Sequence, residues 1–227
     1  MSLESRPCPL ESGFHPDQLA VYLVTDPHLC AAHGLVKTVE AAVRGGVTLV
    51  QLRDKHADDA TLIDQARRLK AALAGSGVPL IINDRVAVAH ASGADGVHLG
   101  QGDSEVAEAR RLLGPDAIIG LSVQNLAQLA TLDVETLDYL GLGPVFATAT
   151  KGDHAEPLGF GGLATLTAAS PLPSVAIGGL KADHALATRA AGANGLAVVS
   201  AICGQSDPEA ASQAIVAAWR QAPETDT

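Results

Sequence analysis

The chain has 227 residues and a formal net charge of −10, and 47% of its residues are hydrophobic but only 3% are aromatic. This length allows one large domain with a substantial core, and an aliphatic core suits buried parallel strands covered by alanine-rich helices. The acidic balance argues against nucleic acid and anionic membranes as general partners, so any anion site has to be a local cationic pocket.

The cysteines and the N-terminal segment indicate the compartment. Cys8, Cys30 and Cys203 lack metal-ligand spacing, and their odd number argues against a disulfide framework. The N-terminal segment has no apolar core of the kind a signal peptide needs, and no apolar run approaches the length of a membrane span. We therefore predict a soluble, cytoplasmic protein with reduced, mostly buried thiols. A homo-oligomer is compatible with the sequence.

Strand-like and helix-like segments alternate along the chain. Apolar runs predict strands at 20–25, 47–52, 79–82, 95–99, 117–121, 137–142, 174–178 and 194–199. The stretches between them predict helices at 34–45, 58–74, 85–92, 104–113, 124–132, 161–169, 182–191 and 207–221. The predicted organisation is an irregular leader at 1–18, a catalytic domain at 19–222 and a frayed tail at 223–227.

Eight consecutive βα units predict a parallel sheet, because every crossover between parallel strands is a helix. In a chain of this length, eight such units most simply close into a single (β/α)8 TIM barrel. An open, doubly wound sheet is the alternative fold. No GxGxxG motif follows the first predicted strand to support that alternative.

Polar, charged or glycine residues follow almost every predicted strand. These segments are Thr25-Asp26, Gln51 to Lys55, Asn83-Asp84, 100–103, Ser122, 143–151, Gly178-Gly179 and Ser200. In a barrel the carboxyl ends of the strands converge on one mouth, where ligands bind. Arg53 and Lys55 lie on the same side of an extended chain and suit a phosphate or diphosphate, although a solvated charged loop is the alternative interpretation.

A second anion site is predicted after the last two strands. Gly178-Gly179 and Ser200 occupy the position where barrel enzymes commonly bind phosphate, although the two glycines would also make a simple tight turn. The connection at 143–160 is the longest in the chain and is typical of a lid. Its residues Thr148, Thr150 and Lys151 are placed to close over an anion.

Two aspartates predict a metal site beside the cations. Asp84 and Asp103 end neighbouring strand regions and suit Mg²⁺ bridged to a diphosphate, since Mg²⁺ takes one or two carboxylates together with phosphate oxygens. The alternative is that each aspartate caps the helix that follows it. His98 lies in a strand and is predicted to be structural rather than catalytic. No Ser-His-Asp set, Cys-His pair or HExxH motif is present.

Taken together, these motifs resemble the thiamine phosphate synthase family. The similarity covers roughly residues 20–220, in order and without large gaps. The matching motifs are YLVTD at 22–26, QLRDK at 51–55, IND at 82–84, GVHLGQ at 96–101 with Asp103, GLS at 120–122, GLGPVF at 141–146 with Thr148, Thr150 and Lys151, IGG at 177–179 and VS at 199–200.

The resemblance implies a transferase on a (β/α)8 barrel. Such an enzyme joins 4-amino-2-methyl-5-pyrimidinylmethyl diphosphate to a thiazole phosphate or carboxythiazole phosphate and releases diphosphate. The implied mechanism is dissociative: the C–O bond to diphosphate breaks, the pyrimidine's amino group stabilises the cation, and the thiazole nitrogen attacks. This chemistry needs leaving-group charge to be neutralised and reactants to be aligned, and it needs no general base.

The resemblance also implies roles for individual residues. The expected contacts of the pyrimidine diphosphate are Gln51, Leu52, Arg53, Asp54, Lys55, Asn83, Ser122 and Lys151. The resemblance does not explain the Asp54 side chain, which we expect to point away from the ligand. The expected contacts of the thiazole phosphate are Thr148, Ala149, Thr150, Gly179, Val199 and Ser200, and those of Mg²⁺ are Asp84 and Asp103. The expected catalytic residues are Arg53, Lys55, Ser122 and Lys151. One position departs from the family, which usually has a histidine where this chain has Gln124.

Two alternative functions are consistent with the same fold. A thiazole tautomerase would share the barrel and the monophosphate site but would transfer a proton. It would not need the set formed by Arg53, Lys55, Asp84, Asp103 and Lys151. A non-catalytic barrel that binds a phosphorylated ligand is the other alternative, because a fold does not guarantee an activity.

Overall fold

A computed structural model describes residues 13–102, 106–147 and 156–221. Its eight parallel strands form a closed barrel in which each strand pairs with the next and the last pairs with the first. The strands are β1 Val21–Val24, β2 Leu49–Leu52, β3 Leu80–Asn83, β4 Gly96–Leu99, β5 Ile118–Val123, β6 Tyr139–Leu142, β7 Ser174–Ile177 and β8 Gly195–Val198. The predicted (β/α)8 TIM barrel is therefore confirmed.

A helix follows each strand. The helices are α1 Leu35–Arg44, α2 Asp59–Leu73, α3 Val86–Ser92, α4 Val106–Leu113, α5 Leu126–Leu129, α6 Gly159–Ala169, α7 Ala185–Ala190 and α8 Pro208–Gln221. Among the described residues, no helix is long and apolar enough to cross a membrane. The helix α5 is shorter than its predicted span of 124–132: Asn125 caps its start by accepting a hydrogen bond from the backbone N–H of Gln128 (3.0 Å), and Ala130 is its C-cap.

The strand residues divide the core into two layers. One layer fills the barrel interior and includes Tyr22, Leu49, Ile81, Tyr139 and Val175. The other layer lies between the strands and the helices, and includes Leu23, Val50, Leu52, Ile82, Val97 and Leu99. Successive residues of one strand thus alternate between the two layers, as the period of a β-strand requires.

The bottom of the barrel is closed by residues that precede β1. The segment Pro16–Leu19 forms a 3-10 helix within the part of the chain that the sequence predicts to be irregular. Phe14 is buried, and its ring centroid lies 5.8 Å from that of Tyr139 in the barrel interior. These residues seal the end of the barrel opposite the predicted mouth.

Four polar side chains join the strands in pairs at this lower end. Each precedes an even-numbered strand and accepts a hydrogen bond from the first or second backbone N–H of the strand before it. The pairs are Thr48 with Val21 (3.0 Å), Asp95 with Leu80 (2.7 Å), Asp138 with Ile119 (2.7 Å) and Asn194 with Ser174 (2.8 Å). They satisfy backbone donors at the lower rim, where polar residues in this fold serve stability rather than chemistry.

The most deeply buried of these four polar side chains, Asp138, forms an ion pair. Asp138 is 1% exposed and receives a second hydrogen bond from Arg110 Nη2 (2.6 Å). The guanidinium also donates to the carbonyls of Gly114, Ala117 and Thr136. Several donors of Arg110 therefore have acceptors, which is the condition under which a buried ion pair is tolerated.

Candidate active site

A cavity opens at the carboxyl ends of the strands. Polar side chains in its wall include those of Tyr22, Gln51, Arg53, His98 and Ser122. Apolar side chains from β7 and β8 and the connections after them complete the wall: Val175, Ile177, Leu180, Ala197 and Val199. Seven of the eight strands contribute to the cavity or its rim, so the strand ends converge on one mouth.

A continuous chain of hydrogen bonds crosses the floor of this cavity. Gln51 Nε2 donates to the hydroxyl of Tyr22 (2.6 Å), which is 2.9 Å from the hydroxyl of Tyr139. The Tyr139 hydroxyl lies 2.9 Å from Nδ1 of His98, and Nε2 of the same ring lies 2.9 Å from Oγ of Ser122. Five side chains from five different strands are thereby joined into one network.

The Gln51 amide nitrogen favours one direction for the hydrogen bonds of this network. It can only donate, so the Tyr22 hydroxyl accepts from it, and the hydrogen of that hydroxyl is available for the Tyr139 oxygen 2.9 Å away. Desolvation by burial raises the pKa of both tyrosines, which keeps the two phenols neutral. If Tyr139 then donates to Nδ1 of His98, Nε2 carries the hydrogen and donates to Ser122. The Ser122 hydroxyl proton is left to donate into the cavity.

Two glycines make room for the rings of the network. A Cβ atom on Gly120 would overlap the ring of Tyr139, and one on Gly141 would lie 2.9 Å from Cε1 of His98. Real Cβ contacts are not this short, so any larger residue would displace the ring beside it. The glycines in the GLS and GLGPVF motifs therefore serve the packing of this network.

Arg53 presents an unpaired donor at the edge of the cavity. Its backbone N–H donates to Oγ1 of Thr25 (3.0 Å), and the Thr25 N–H donates to the carbonyl of Gln51 (2.9 Å). These bonds fix the chain where β2 ends. The Nε atom of Arg53 is buried and has no hydrogen-bond partner among the described residues. Because an unmet buried donor costs about 1–3 kcal/mol, this position suits an anionic ligand oxygen.

Lys55 and Asp84 contact each other near the end of β2, which Arg53 follows. Lys55 Nζ lies 3.8 Å from Oδ2 of Asp84, whose side chain is 25% exposed. Asp84 is the only non-glycine described residue with a positive φ (62°), a conformation that strains the backbone by about 1–3 kcal/mol. Its N–H donates to the carbonyl of His98 (2.9 Å). The N-cap of α3 is Arg85, so Asp84 does not cap that helix.

The surroundings of Asp84 fit a hydrated divalent cation. Among the described residues, no three His, Cys, Asp or Glu side chains are grouped to hold a metal ion by themselves. Mg²⁺ is nevertheless commonly held by one or two carboxylates together with phosphate oxygens and water. Asp84 supplies one such carboxylate next to the cationic strand end. Asp103, the second predicted ligand, lies outside the described residues.

The opposite side of the mouth is shaped by the connection after β7. Gly178 and Gly179 have φ values of 110° and 65°, which other residues rarely adopt. The backbone N–H groups of Val145 and Phe146 donate to the carbonyls of Ile177 (2.8 Å) and Gly178 (3.0 Å). The connection after β6 therefore runs beside the glycine pair and leads residue 147 to the rim of the cavity.

The remaining predicted site residues have different surroundings. Val199 and Ser200 line the cavity. Leu52 lies in the outer core, so its side chain faces the helices rather than the cavity. Asp54 accepts hydrogen bonds from the backbone of His56 (2.9 Å) and Ala57, and its carboxylate shapes the turn after β2. Asn83 ends β3, and Thr148, Ala149, Thr150 and Lys151 lie outside the described residues.

The sequence did not predict Tyr22, His98 and Tyr139, the three rings of the hydrogen-bond network, as site residues. His98, which the sequence predicts to be structural rather than catalytic, lines the cavity and contacts Ser122. The signal was available in the strand itself, because Val97 and Leu99 belong to the outer core and the residue between them must face inward. Tyr22 and Tyr139 are 117 residues apart, and no local pattern pairs them.

Gln124, which departs from the resemblance, also lies at the cavity. Its backbone N–H donates to Oε1 of Gln128 (2.7 Å), which holds the connection between β5 and α5. The Gln124 side chain thus lies at the mouth, at the position where the family that the sequence resembles usually has a histidine. Glutamine retains both a donor and an acceptor at this place.

Comparison with known proteins agrees with this geometry. The family model of thiamine monophosphate synthase matches residues 21–202. The thiamine-phosphate synthase of Psychrobacter sp. (strain PRwf-1) is 56% identical over 204 residues, which cover 88% of this chain and 95% of that protein. The thiamine-phosphate synthase of Xanthobacter autotrophicus is 55% identical over 203 residues, which cover 89% of this chain and 96% of that protein.

A solved structure shares the fold over nearly the whole chain. The thiamine phosphate pyrophosphorylase of Pyrococcus furiosus superposes with a TM-score of 0.82 at 32% identity. The match covers 91% of this chain and 98% of that protein. On the extent of the family match and the identity of these relatives, the chain belongs to the thiamine monophosphate synthase family.

Proposed function

We propose that this protein is a thiamine-phosphate synthase. It would condense 4-amino-2-methyl-5-pyrimidinylmethyl diphosphate with a thiazole phosphate to give thiamine phosphate and diphosphate. The observation that carries the proposal is Arg53, whose buried Nε lacks a partner among the described residues at the strand end where a diphosphate would bind. Family membership supplies the reaction class.

The diphosphate would lie between β2 and β3. Arg53 would donate to one of its oxygens, and Lys55 would lie against its outer charge. Together with the sequence-predicted contact Lys151, these groups neutralise the charge that develops on the leaving diphosphate. Cations held in place before the reaction stabilise that charge without reorganisation at the moment of bond breaking.

Asp84 and Asp103 would hold Mg²⁺ against the diphosphate. One carboxylate from each of two neighbouring strand ends matches the sparse protein coordination that this ion accepts. When bound, the ion supplies additional charge neutralisation to the phosphate oxygens. Lys55 Nζ lies 3.8 Å from Oδ2 of Asp84, so the cation and the proposed metal carboxylate adjoin the same diphosphate.

The pyrimidine would sit on the floor of the cavity. If Nε2 of His98 donates to Oγ of Ser122, the Ser122 hydroxyl proton is available there for a ring nitrogen or a bridging diphosphate oxygen. Both nitrogens of His98 already have partners inside the protein, so the imidazole positions Ser122 and does not act as a free base. This matches a reaction that needs alignment and no proton abstraction from the substrate.

The apolar wall would protect the cationic intermediate. Val175, Ile177 and Ala197 line the cavity and offer no nucleophile. Water would otherwise capture the pyrimidinylmethyl cation that forms when the C–O bond breaks. The thiazole nitrogen would then be the nucleophile that attacks the cation.

The thiazole phosphate would bind near the glycine pair. Gly179 and Ser200 lie on neighbouring connections after β7 and β8, where backbone N–H groups exposed by glycine suit a phosphate. Thr148, Ala149 and Thr150 are the further contacts that we predict from the sequence. Val199 would contact the ring.

A direct assay tests this function. The full chain is mixed with both phosphorylated substrates and Mg²⁺, and the release of diphosphate and formation of thiamine phosphate are measured. Product formation is the expected result. If circular dichroism shows that the protein is folded but no diphosphate is released, the proposal is wrong.

The same assay separates the alternative functions. A tautomerase would convert carboxythiazole phosphate without any pyrimidine substrate, and a binding protein would retain a phosphorylated ligand without converting it. Arg53 beside Lys55 and Asp84 favours the synthase, since a tautomerase has no diphosphate to hold. A cytoplasmic location and a homo-oligomeric state stay predictions from the sequence.

A further inference from the structure

Two cysteines contact each other beside the proposed thiazole phosphate site. The Sγ atoms of Cys30 and Cys203 are 3.4 Å apart, although the two residues are separated by 173 positions in the chain. Cys30 lies in the connection between β1 and α1, and Cys203 in the connection between β8 and α8. Each residue is only 1% exposed. No role in the proposed reaction explains this contact.

The backbone on each side holds the two thiols in place. The Cys30 N–H donates to the carbonyl of Asp26 (2.9 Å), and the Cys203 N–H donates to that of Val199 (2.8 Å). Beside them, His33 Nε2 donates to the carbonyl of Gln205 (3.0 Å). The two connections thus form a packed interface with the sulfur pair inside it. A disulfide needs the sulfurs to approach to about 2.0 Å, which is a short movement from their present contact.

The environment of the pair also makes one thiol reactive. The hydrogen bond with the Cys203 thiol lowers the pKa of Cys30 to about 7, despite the opposing effect of burial. The same hydrogen bond, together with burial, raises the pKa of Cys203. A lowered pKa favours the thiolate of Cys30, which is the nucleophilic form of cysteine. Cys203 stays protonated and is the thiol that would react with the oxidised Cys30.

We propose that Cys30 and Cys203 form a reversible disulfide that joins the connections after β1 and β8, with a hydroperoxide as the oxidant. The Cys30 thiolate attacks a peroxide oxygen, the O–O bond breaks, and sulfenic acid forms while hydroxide leaves. The Cys203 sulfur then attacks the sulfenic sulfur, and its proton and the hydroxyl group leave as water. Overall, two thiols and one hydrogen peroxide give one disulfide and two waters.

The bond would act on the proposed phosphate site through Ser200. Ser200 and Cys203 belong to one turn, in which the Ser200 carbonyl accepts a hydrogen bond from Gln205 Nε2 (2.8 Å). Drawing Cys203 toward Cys30 shifts that turn relative to the rest of the cavity wall. This consequence rests on the proposed function, and it makes the oxidised protein the slower enzyme, since misplacement of a contact by about 1 Å can cost up to 100-fold in rate.

The bond itself is tested without any activity assay. The full chain is treated with a small excess of hydrogen peroxide, remaining thiols are blocked, and the intact mass and the peptide map are measured. We expect one blocking group, on Cys8, a protein mass about 2 Da lower once that group is subtracted, and one cross-linked peptide pair that joins Cys30 to Cys203. Dithiothreitol should reverse the mass loss and the cross-link. Oxidation should also raise the thermal midpoint by about 5 °C or more, because the bond closes a long loop.

Matched variants make the result specific. Cys8→Ser should form the same bond as the parent chain, whereas Cys30→Ser and Cys203→Ser should not lose the 2 Da. A gain of oxygen atoms on the cysteines without a cross-link, or a cross-link that involves Cys8, would overturn the proposed bond. Turnover by the oxidised Cys8→Ser protein should fall about 10-fold and recover with reductant. A bond that forms with turnover unchanged would overturn its regulatory effect and leave the synthase proposal untouched.

Discussion

The hydroxyl of Tyr139 lies 2.9 Å from Nδ1 of His98, deep inside the barrel and one ring away from the cavity. If the Tyr139 hydroxyl donates through this contact, Nε2 of the imidazole carries the hydrogen and donates to Ser122 at the cavity wall. The orientation of the Ser122 hydroxyl then depends on Tyr139, which does not line the cavity. Mutation of Tyr139 can test this indirect control of the Ser122 hydroxyl.

Replacing Tyr139 by phenylalanine should lower both activity and stability. The change removes the hydrogen bonds that the Tyr139 hydroxyl makes with the Tyr22 hydroxyl and with Nδ1 of His98 in a buried site, at a cost of about 1–3 kcal/mol of unfolding free energy. With its tautomer released, His98 no longer orients Ser122, and kcat/KM should fall by about 10-fold. Urea denaturation and initial rates give the two quantities.

The matched control is Tyr22→Phe, which removes the other hydroxyl of the same pair. Tyr139 can still donate to His98 in that variant, so its kcat/KM should stay within about 3-fold of the parent although stability falls by about 1–2 kcal/mol. Equal losses of kcat/KM in both variants would contradict the directional network.

Arg53→Gln should impair binding of the pyrimidine diphosphate without destabilising the protein. Removing the guanidinium eliminates a buried donor that has no partner among the described residues, so the unfolding free energy should change by less than about 1 kcal/mol. The kcat/KM for the diphosphate substrate should fall by about 100-fold or more. Steady-state kinetics and thermal denaturation measure these effects.

Arg68→Gln serves as the control for Arg53→Gln. Arg68 is an exposed residue of α2, and its contact with Asp64 is 3.9 Å long. Its kinetics should match those of the parent. A normal KM for the diphosphate substrate in Arg53→Gln would show that the unpaired Nε does not serve this ligand.

Substitutions of Asp84 should separate its backbone role from its charge. Asparagine tolerates the positive φ of this position, so Asp84→Asn should keep the unfolding free energy within about 0.5 kcal/mol. Asp84→Ala should cost about 1 kcal/mol more, because alanine pays for the left-handed conformation. Both variants should lose Mg²⁺-dependent turnover by about 100-fold, as measured by rates over a Mg²⁺ titration. Full activity in Asp84→Asn would remove this residue from the proposed metal site.

Asp103→Ala should abolish Mg²⁺-dependent turnover and leave binding of the thiazole phosphate nearly intact. The two ligands are proposed to occupy different sides of one mouth, so loss of a metal carboxylate affects only the diphosphate side. Isothermal titration with the thiazole phosphate checks the second half of the statement. Loss of both properties in a folded variant would contradict the two-site arrangement.

Asp138→Ala should destabilise the barrel without touching the chemistry. It removes a buried carboxylate that binds Arg110 and the backbone of Ile119, and breaking such a pair costs about 3–5 kcal/mol. Asp95, which accepts the equivalent hydrogen bond from the backbone at the start of β3, is more exposed. Asp95→Ala should therefore cost about 1–2 kcal/mol. Urea unfolding ranks the two, and the reverse order would contradict the role of burial. The folded fraction of each variant should retain the parental KM values.

Much of the fold was predictable because it rests on local patterns. The alternation of buried runs with amphipathic stretches fixes the order of strands and helices, and eight such units leave few ways to arrange a parallel sheet. The polar residues that follow the strands then mark one mouth, whatever their exact contacts. Arg53, Lys55 and Asp84 could be placed near one another on this ground alone, and the structure brings Lys55 within 3.8 Å of Asp84.

The contacts that the sequence did not predict depend on the order of the strands around the barrel and on their register. Tyr22 meets Tyr139 across the barrel, and Cys30 meets Cys203 where the first and last connections touch. Neither contact has a local signature, since separations of 117 and 173 residues are bridged only by closure of the sheet. His98 shows the same limit, because its direction follows from strand parity but its partners do not.

The sequence by itself thus determined the barrel, the position of its mouth and the ionic character of that mouth, because each follows from short-range periodicity and from residue type. Only the tertiary structure decided that Asp54 builds a turn, that Leu52 faces the helices, and that the floor of the cavity is a directed chain from Gln51 to Ser122. The physical reason is that a hydrogen bond depends on positions to within a few tenths of an ångström, and strand register sets those positions through contacts between residues far apart in the chain.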